Sequence, residues 1–285
     1  MKILKYLLLY SLIGLVTSGC VATMPLNEKE EKRVAFVLGN DEYPVLKKQY
    51  NEGTLSQDPT LTKAVTDARN MRDKLVMLGF RVHYGENLDL KDMETMLNNF
   101  TRDIDKDTLA FVYYSGHGAS DAKQLNYLIP SDFSGKEALA VDKIAFTMKS
   151  KNSSQNILAL DMCRNNGVSI GEKGSKALGK GDIAIDSPYN QHNYKDDGLL
   201  ISYATGQNNQ ANEGDMSIEN SLYTHFLLQH LDDETLSLSD LFGKVNKEVV
   251  NASNRKQNPW KNGSLEGNDI FLAKKKARPD PPPRP

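Results

Sequence analysis

The stretch Thr108-Leu109-Ala110-Phe111-Val112-Tyr113-Tyr114-Ser115-Gly116-His117-Gly118 decides the fold. From Leu109 to Tyr114 it is a continuous apolar and aromatic run, the mark of a strand buried on both faces, and Ser-Gly-His-Gly reads as chain leaving a sheet. A second segment, Asn156 to Leu160, has the same texture and leads into Asp161-Met162-Cys163-Arg164-Asn165-Asn166. Both polar ends therefore reach the carboxyl edge of one sheet, where open α/β folds place their chemistry. A cysteine is a strong nucleophile only as thiolate, and a histidine that takes its proton supplies that form at neutral pH. His117 and Cys163 are thus a candidate catalytic pair. Taken singly, each has a plainer reading, a buried inert thiol and a satisfied polar ring.

Working outward, Arg33 to Gly39 is a β-branched and aromatic strand closed by Gly39-Asn40-Asp41, with a polar loop after it to about Thr60. Leu61, Ala64, Val65, Ala68, Met71, Leu75 and Leu78 recur at spacings of three and four, which predicts an amphipathic helix ended by Gly79. Phe80 to Tyr84 is a short strand, and Leu90, Met93, Leu97, Phe100 and Ile104 trace a second helix. A hairpin and a short helix are expected between Tyr114 and Asn156. This βαβαβ alternation implies a parallel sheet with helices on both faces. Residues 167–197 are rich in Gly, Lys, Asp and Asn and read as a mobile loop. Leu199 to Ala204 is a further strand, Asn220 to Leu231 and Leu238 to Ala252 are helices, and Ile270 to Leu272 is expected as the closing strand.

The ends set the compartment. Lys2 and Lys5 precede an apolar stretch from Tyr6 to Val16 that stops at Thr17-Ser18-Gly19-Cys20, so residues 1–20 read as a secretory signal. They resemble a bacterial lipobox with Cys20 as the lipidated residue, although Thr17 stands where such motifs usually carry Leu, Val or Ile. Acylation would anchor the chain stably to a membrane, and Val21 after the cysteine points to the outer membrane, facing the periplasm. The chain has two cysteines, so a lipid on Cys20 leaves Cys163 a free thiol; the alternative is a Cys20–Cys163 disulfide. Residues 21–32 read as a linker. A formal net charge of -2 gives no footprint for nucleic acid. The basic, Pro-rich tail 274–285 could bind an anionic surface or a proline-reading partner, and a solvated, disordered end is the commoner reading.

The order strand, histidine, strand, cysteine, long loop, strand and two helices resembles the caspase-like cysteine peptidases, including metacaspases and paracaspases. The resemblance runs from about Arg33 to Leu272, within an expected peptidase domain at 33–273 made of a large-subunit-like part (33–166), the loop, and a small-subunit-like part (198–273). It is carried further by Leu38-Gly39-Asn40-Asp41-Glu42-Tyr43, Thr66-Asp67-Ala68, Tyr127-Leu128-Ile129-Pro130-Ser131-Asp132 and Ser202-Tyr203-Ala204-Thr205-Gly206. Asn220-Ser221-Leu222-Tyr223-Thr224, opening a helix, and Gln257-Asn258-Pro259-Trp260, before the final strand, fit as well. His117 and Cys163 are separated by close to the roughly 50 positions expected in caspases.

The resemblance implies a mostly parallel six-stranded sheet and peptide hydrolysis, with His117 as general base and Cys163 as nucleophile. The amides of Gly118 and Cys163 would stabilise the oxyanion. In the branches that cleave after Arg or Lys, one acid lies two positions before the nucleophile and another on the first helix. These match Asp161 and Asp67, so the resemblance implies a peptide or protein substrate with a basic residue before the scissile bond. The plainer readings are that Asp67 caps its helix or pairs with Arg69 or Arg72, and that Asp161 accepts backbone amides. The other class of function is a binding scaffold at the envelope with an idle dyad.

The sequence identifies no certain cofactor. The calcium sites of some metacaspases find no residue-by-residue match, so Asp132, Asp142, Asp196 and Asp197 stay unassigned and calcium dependence stays open, as does pairing of two copies. Lys173, Lys176 and Lys180 offer self-cleavage sites, the alternative being a lid or simple insertion. His192 is read as solvated, and His225 and His230 as structural.

Overall fold

The computed structural model describes residues 31–121, 125–151, 155–163, 198–206, 217–265 and 270–273. Its elements are β1 (Lys32–Gly39), α1 (Pro44–Asn51), α2 (Ala64–Met77), β2 (Arg81–Glu86), α3 (Leu90–Arg102), β3 (Thr108–Ser115), β4 (Gly118–Ser120) and β5 (Asn126–Leu128). They continue with β6 (Leu139–Ala140), α4 (Val141–Lys151), β7 (Asn156–Asp161), β8 (Leu199–Tyr203), α5 (Leu222–His230), α6 (Leu238–Ala252) and β9 (Trp260–Ser264). Cys20 with the signal and most of the linker, the loop lysines 173, 176 and 180, His192, Asp196, Asp197 and the tail lie outside the described residues.

Six strands form one sheet in the order β2-β1-β3-β7-β8-β9; the first five are parallel and β9 runs antiparallel to β8. The period-two rule divides the apolar strands between two cores. Ala35, Val37, Phe111, Tyr113 and Ala159 pack against Ala68, Met71 and Leu75 of α2 and against α5 and α6. Val34, Phe36, Val112, Tyr114 and Leu158 pack against Met93, Leu97 and Phe100 of α3 and Ile144 and Met148 of α4. The expected mostly parallel sheet with helices on both faces is the fold observed. The hairpin foreseen after His117 is part of a small antiparallel sheet, β4-β5-β6.

Two elements differ from the sequence expectation. The loop before Thr60 contains α1, an eight-residue helix with Pro44 in its first turn and Leu46 as its one buried side chain. With so small an apolar face it leaves no periodic signal. The closing strand is β9 at Trp260–Ser264, not Ile270 to Leu272. β9 is mostly exposed, so its side chains do not alternate. Leu272 is buried without strand pairing, and its carbonyl accepts from the Arg33 guanidinium.

The first helix is placed closely. Asp41 accepts the amides of Ala64 (2.7 Å) and Val65 (3.1 Å) through its carboxylate, capping α2 from the end of β1. A Cβ on Gly39 would lie 2.3 Å from the Ala64 carbonyl oxygen, so glycine is what lets α2 approach β1 here.

Candidate active site

Ser115 ends β3, Asp161 ends β7, and the two are register partners. The Gly116 amide donates to the Asp161 carbonyl at 3.3 Å, carrying the pairing one residue further, and His117 and Cys163 follow on the two strands. A Cβ on Gly118 would stand 2.5 Å from the Cys163 carbonyl oxygen and 2.7 Å from Met162 Sδ. One on Gly116 would stand 2.4 Å from Tyr114 Oη and 2.9 Å from Tyr43 Oη. The two glycines thus admit neighbours that any side chain would displace. Cys163 is fully buried, and His117 is only 1% exposed.

The histidine is held from every side. Its amide donates to Tyr43 Oη (2.8 Å), and that phenol donates to the Asn40 carbonyl (3.0 Å). Its carbonyl accepts from Tyr114 Oη (2.8 Å), and its ring lies 4.6 Å from the Tyr43 ring, centre to centre. Its Nε2 lies 2.7 Å from the Pro59 carbonyl oxygen. A carbonyl only accepts, so Nε2 is the donor in this contact. Burial pushes the Tyr43 phenol well above its usual range, with Tyr114 adding to the rise, and burial raises Tyr114 likewise. Both remain neutral donors. Tyr43 and Pro59 were not singled out as site residues in the sequence; the Asn40-Asp41-Glu42-Tyr43 segment was the only signal.

The two acids meet in one buried network. Asp67 sits in the first turn of α2 on its buried face, fully enclosed, as is Asp161. Asp67 Oδ2 accepts from Ser115 Oγ (2.9 Å), and Oδ1 accepts from Asn220 Nδ2 (3.0 Å) and the Ser221 amide (2.9 Å). Asp161 Oδ2 accepts from Ser221 Oγ and from Thr224 Oγ1 (2.6 Å). Tyr113, hydrogen-bonded to Thr224, has its phenol raised first by burial and then by the charges of Asp67 and Asp161. Arg69 pairs with Glu86 and Arg72 with Asp73, so the alternative partners considered for Asp67 are engaged elsewhere. Among the described residues, the hydroxyls of Ser221 and Thr224 donate to Asp161. Asn220, Ser221 and Thr224 read from sequence only as a helix opening, and their part in the network is visible only in three dimensions.

His225 contacts Gln229, and His230 bridges α5 to Glu248 on α6 at 2.6 Å. Asp132 accepts the Leu90 amide at the start of α3, and Asp142 lies in the first turn of α4. Among the described residues no three His, Cys, Asp or Glu side chains are grouped to hold a metal ion.

A parallel sheet with a histidine and a cysteine on adjacent strand ends is the architecture of a caspase-like cysteine peptidase. Residues 32–268 match the family model for the caspase domain, and the chain belongs to that family. Over 136 residues it is 26% identical to the human mucosa-associated lymphoid tissue lymphoma translocation protein 1, a match covering 46% of this chain and 15% of that protein. The mouse homolog matches with the same identity and coverage. The chain thus spans a small part of these relatives' length. A crystal structure of a Geobacter sulfurreducens protein superposes with a TM-score of 0.62 at 16% identity, covering 85% of this chain and 97% of that one, which is a likeness of fold.

Proposed function

We propose that this member of a cysteine peptidase family is an endopeptidase cleaving after Arg or Lys. The observation that carries the reading is that Asp67 and Asp161, both fully buried, are joined through the single residue Ser221. Two enclosed carboxylates held this close favour a cation at their side, and a substrate guanidinium or ammonium is the cation proposed. In the reaction His117 Nδ1 takes the thiol proton, and Cys163 Sγ attacks the scissile carbonyl. The amides of Gly118 and Cys163 meet the oxyanion. His117 then returns the proton to the leaving amine, and water hydrolyses the thioester. The sequence further supports a lipid anchor at Cys20, in the bacterial outer membrane and facing the periplasm, which Cys20→Ala tests by releasing the protein from the membrane fraction.

Reporter peptides with Arg, Lys or Asp before the scissile bond test the specificity. Turnover of the Arg and Lys reporters is expected. Cleavage after Asp alone overturns the roles of Asp67 and Asp161, and no cleavage of any reporter by the intact chain favours the idle binding scaffold.

A further inference from the structure

Ser221 stands at the N-cap of α5 with the backbone angles of a cap (φ -61°, ψ 154°), yet its side chain caps nothing. The same residue type at the start of α6 behaves in the ordinary way: Ser237 Oγ accepts the Asp240 amide at 3.2 Å. Ser221 instead turns its hydroxyl to Asp161 while its amide meets Asp67. It touches both acids through two atoms of one residue, so it couples the spacing and aim of two carboxylates that Ser115, Asn220 and Thr224 each hold on one side only. The preceding segment is tied to the helix that carries Asp67. Lys63 Nζ donates to the Ile218 carbonyl (2.7 Å), and the Asn220 side chain donates to Asp67 while accepting from Asn70 (3.2 Å).

We infer that Ser221 is a positioning residue that aligns Asp67 and Asp161 as one receptor for a planar guanidinium, and so sets a preference for Arg over Lys. This rests on the basic-specificity reading above. The physical ground is the difference between the two cations. A guanidinium presents a rigid planar fork that needs both carboxylates aimed together, whereas an ammonium is a compact point charge on a flexible stem. Loosening the alignment therefore weakens binding of Arg more than of Lys.

The test is steady-state kinetics of the full chain on matched Arg and Lys reporter peptides. Ser221→Ala is expected to lower kcat/KM for the Arg reporter about tenfold, mainly through KM, and that for the Lys reporter by less than about threefold. Ser221→Thr, which keeps the hydroxyl, restores the Arg preference. If Ser221→Ala does not fold, Ser221→Cys, which keeps the volume but donates weakly, is expected to show the same loss of Arg preference. Equal loss on both reporters, or no change in the Arg-to-Lys ratio, overturns the inference and leaves the basic-specificity reading standing. A wild-type chain that cleaves neither reporter overturns that reading itself, and this inference with it.

Discussion

Ser115 and Asp161 face each other in register across the parallel strands β3 and β7, and each sends its side chain into the same buried network. Ser115 reaches Asp67, and Asp161 receives Ser221 and Thr224. Because side chains alternate along a strand, slipping this register by one residue would turn one of the two away from the network. The same register sets the positions of His117 and Cys163 beyond it.

Cys163→Ala is expected to abolish hydrolysis of an arginyl reporter, and His117→Ala to reduce it by about 10²–10⁴-fold. Far-UV circular dichroism of both variants should match the wild type. Residual wild-type-like turnover in Cys163→Ala would remove Cys163 from the nucleophile role.

Gly118→Ala places a methyl group against the Cys163 carbonyl and Met162. It should cost about 1–3 kcal/mol of stability through overpacking. If the Gly118 amide meets the oxyanion as proposed, kcat should also fall by roughly 10²-fold or more. Denaturant titration and initial rates measure the two separately.

Asp67→Asn and Asp161→Asn each remove a charge while keeping the shape. If the acids receive a substrate cation, each should weaken kcat/KM for the arginyl reporter by about 2 kcal/mol or more, some 30-fold. A reporter with a neutral residue before the scissile bond should change far less. Equal losses on both would assign the acids a purely structural role.

Lys47 pairs with Asp58, the residue before the carbonyl that holds His117, and this lowers the Asp58 carboxyl to about 2. A carboxyl lowered in the folded state stabilises the protein above its ordinary value near 4 and loses that contribution as pH falls towards 2. Both side chains are about two-fifths exposed, so the screened contribution is at most about 1 kcal/mol. Lys47→Ala should raise the Asp58 midpoint, followed by carboxyl NMR, towards the ordinary value. It should also flatten the acid limb of the stability curve between pH 4 and 2.

Much of the sheet was legible because buried parallel strands are written as apolar runs, as in Leu109 to Tyr114. Helices α2, α3 and α6 carry wide apolar faces at helical spacing. α1 was hidden because only Leu46 is buried, and β9 because Trp260–Ser264 has no buried alternating face. What defines β9 is its pairing with β8, a contact between distant residues that local pattern does not encode. His117, Cys163, Asp67 and Asp161 could be singled out because their motifs are contiguous. Ser221 could not, since a serine before an apolar helical run reads as an ordinary cap, and its hydroxyl is redirected only when α5 docks beside Asp161.

The chain order of these groups has a temporal consequence. Asp67, His117, Asp161 and Cys163 all precede Ser221, so a chain emerging N-terminus first presents Cys163 before the residue that joins the acids exists. At about 5–20 residues per second, that interval is several seconds. The joining of the two acids is therefore completed late, when α5 takes its place beside β7.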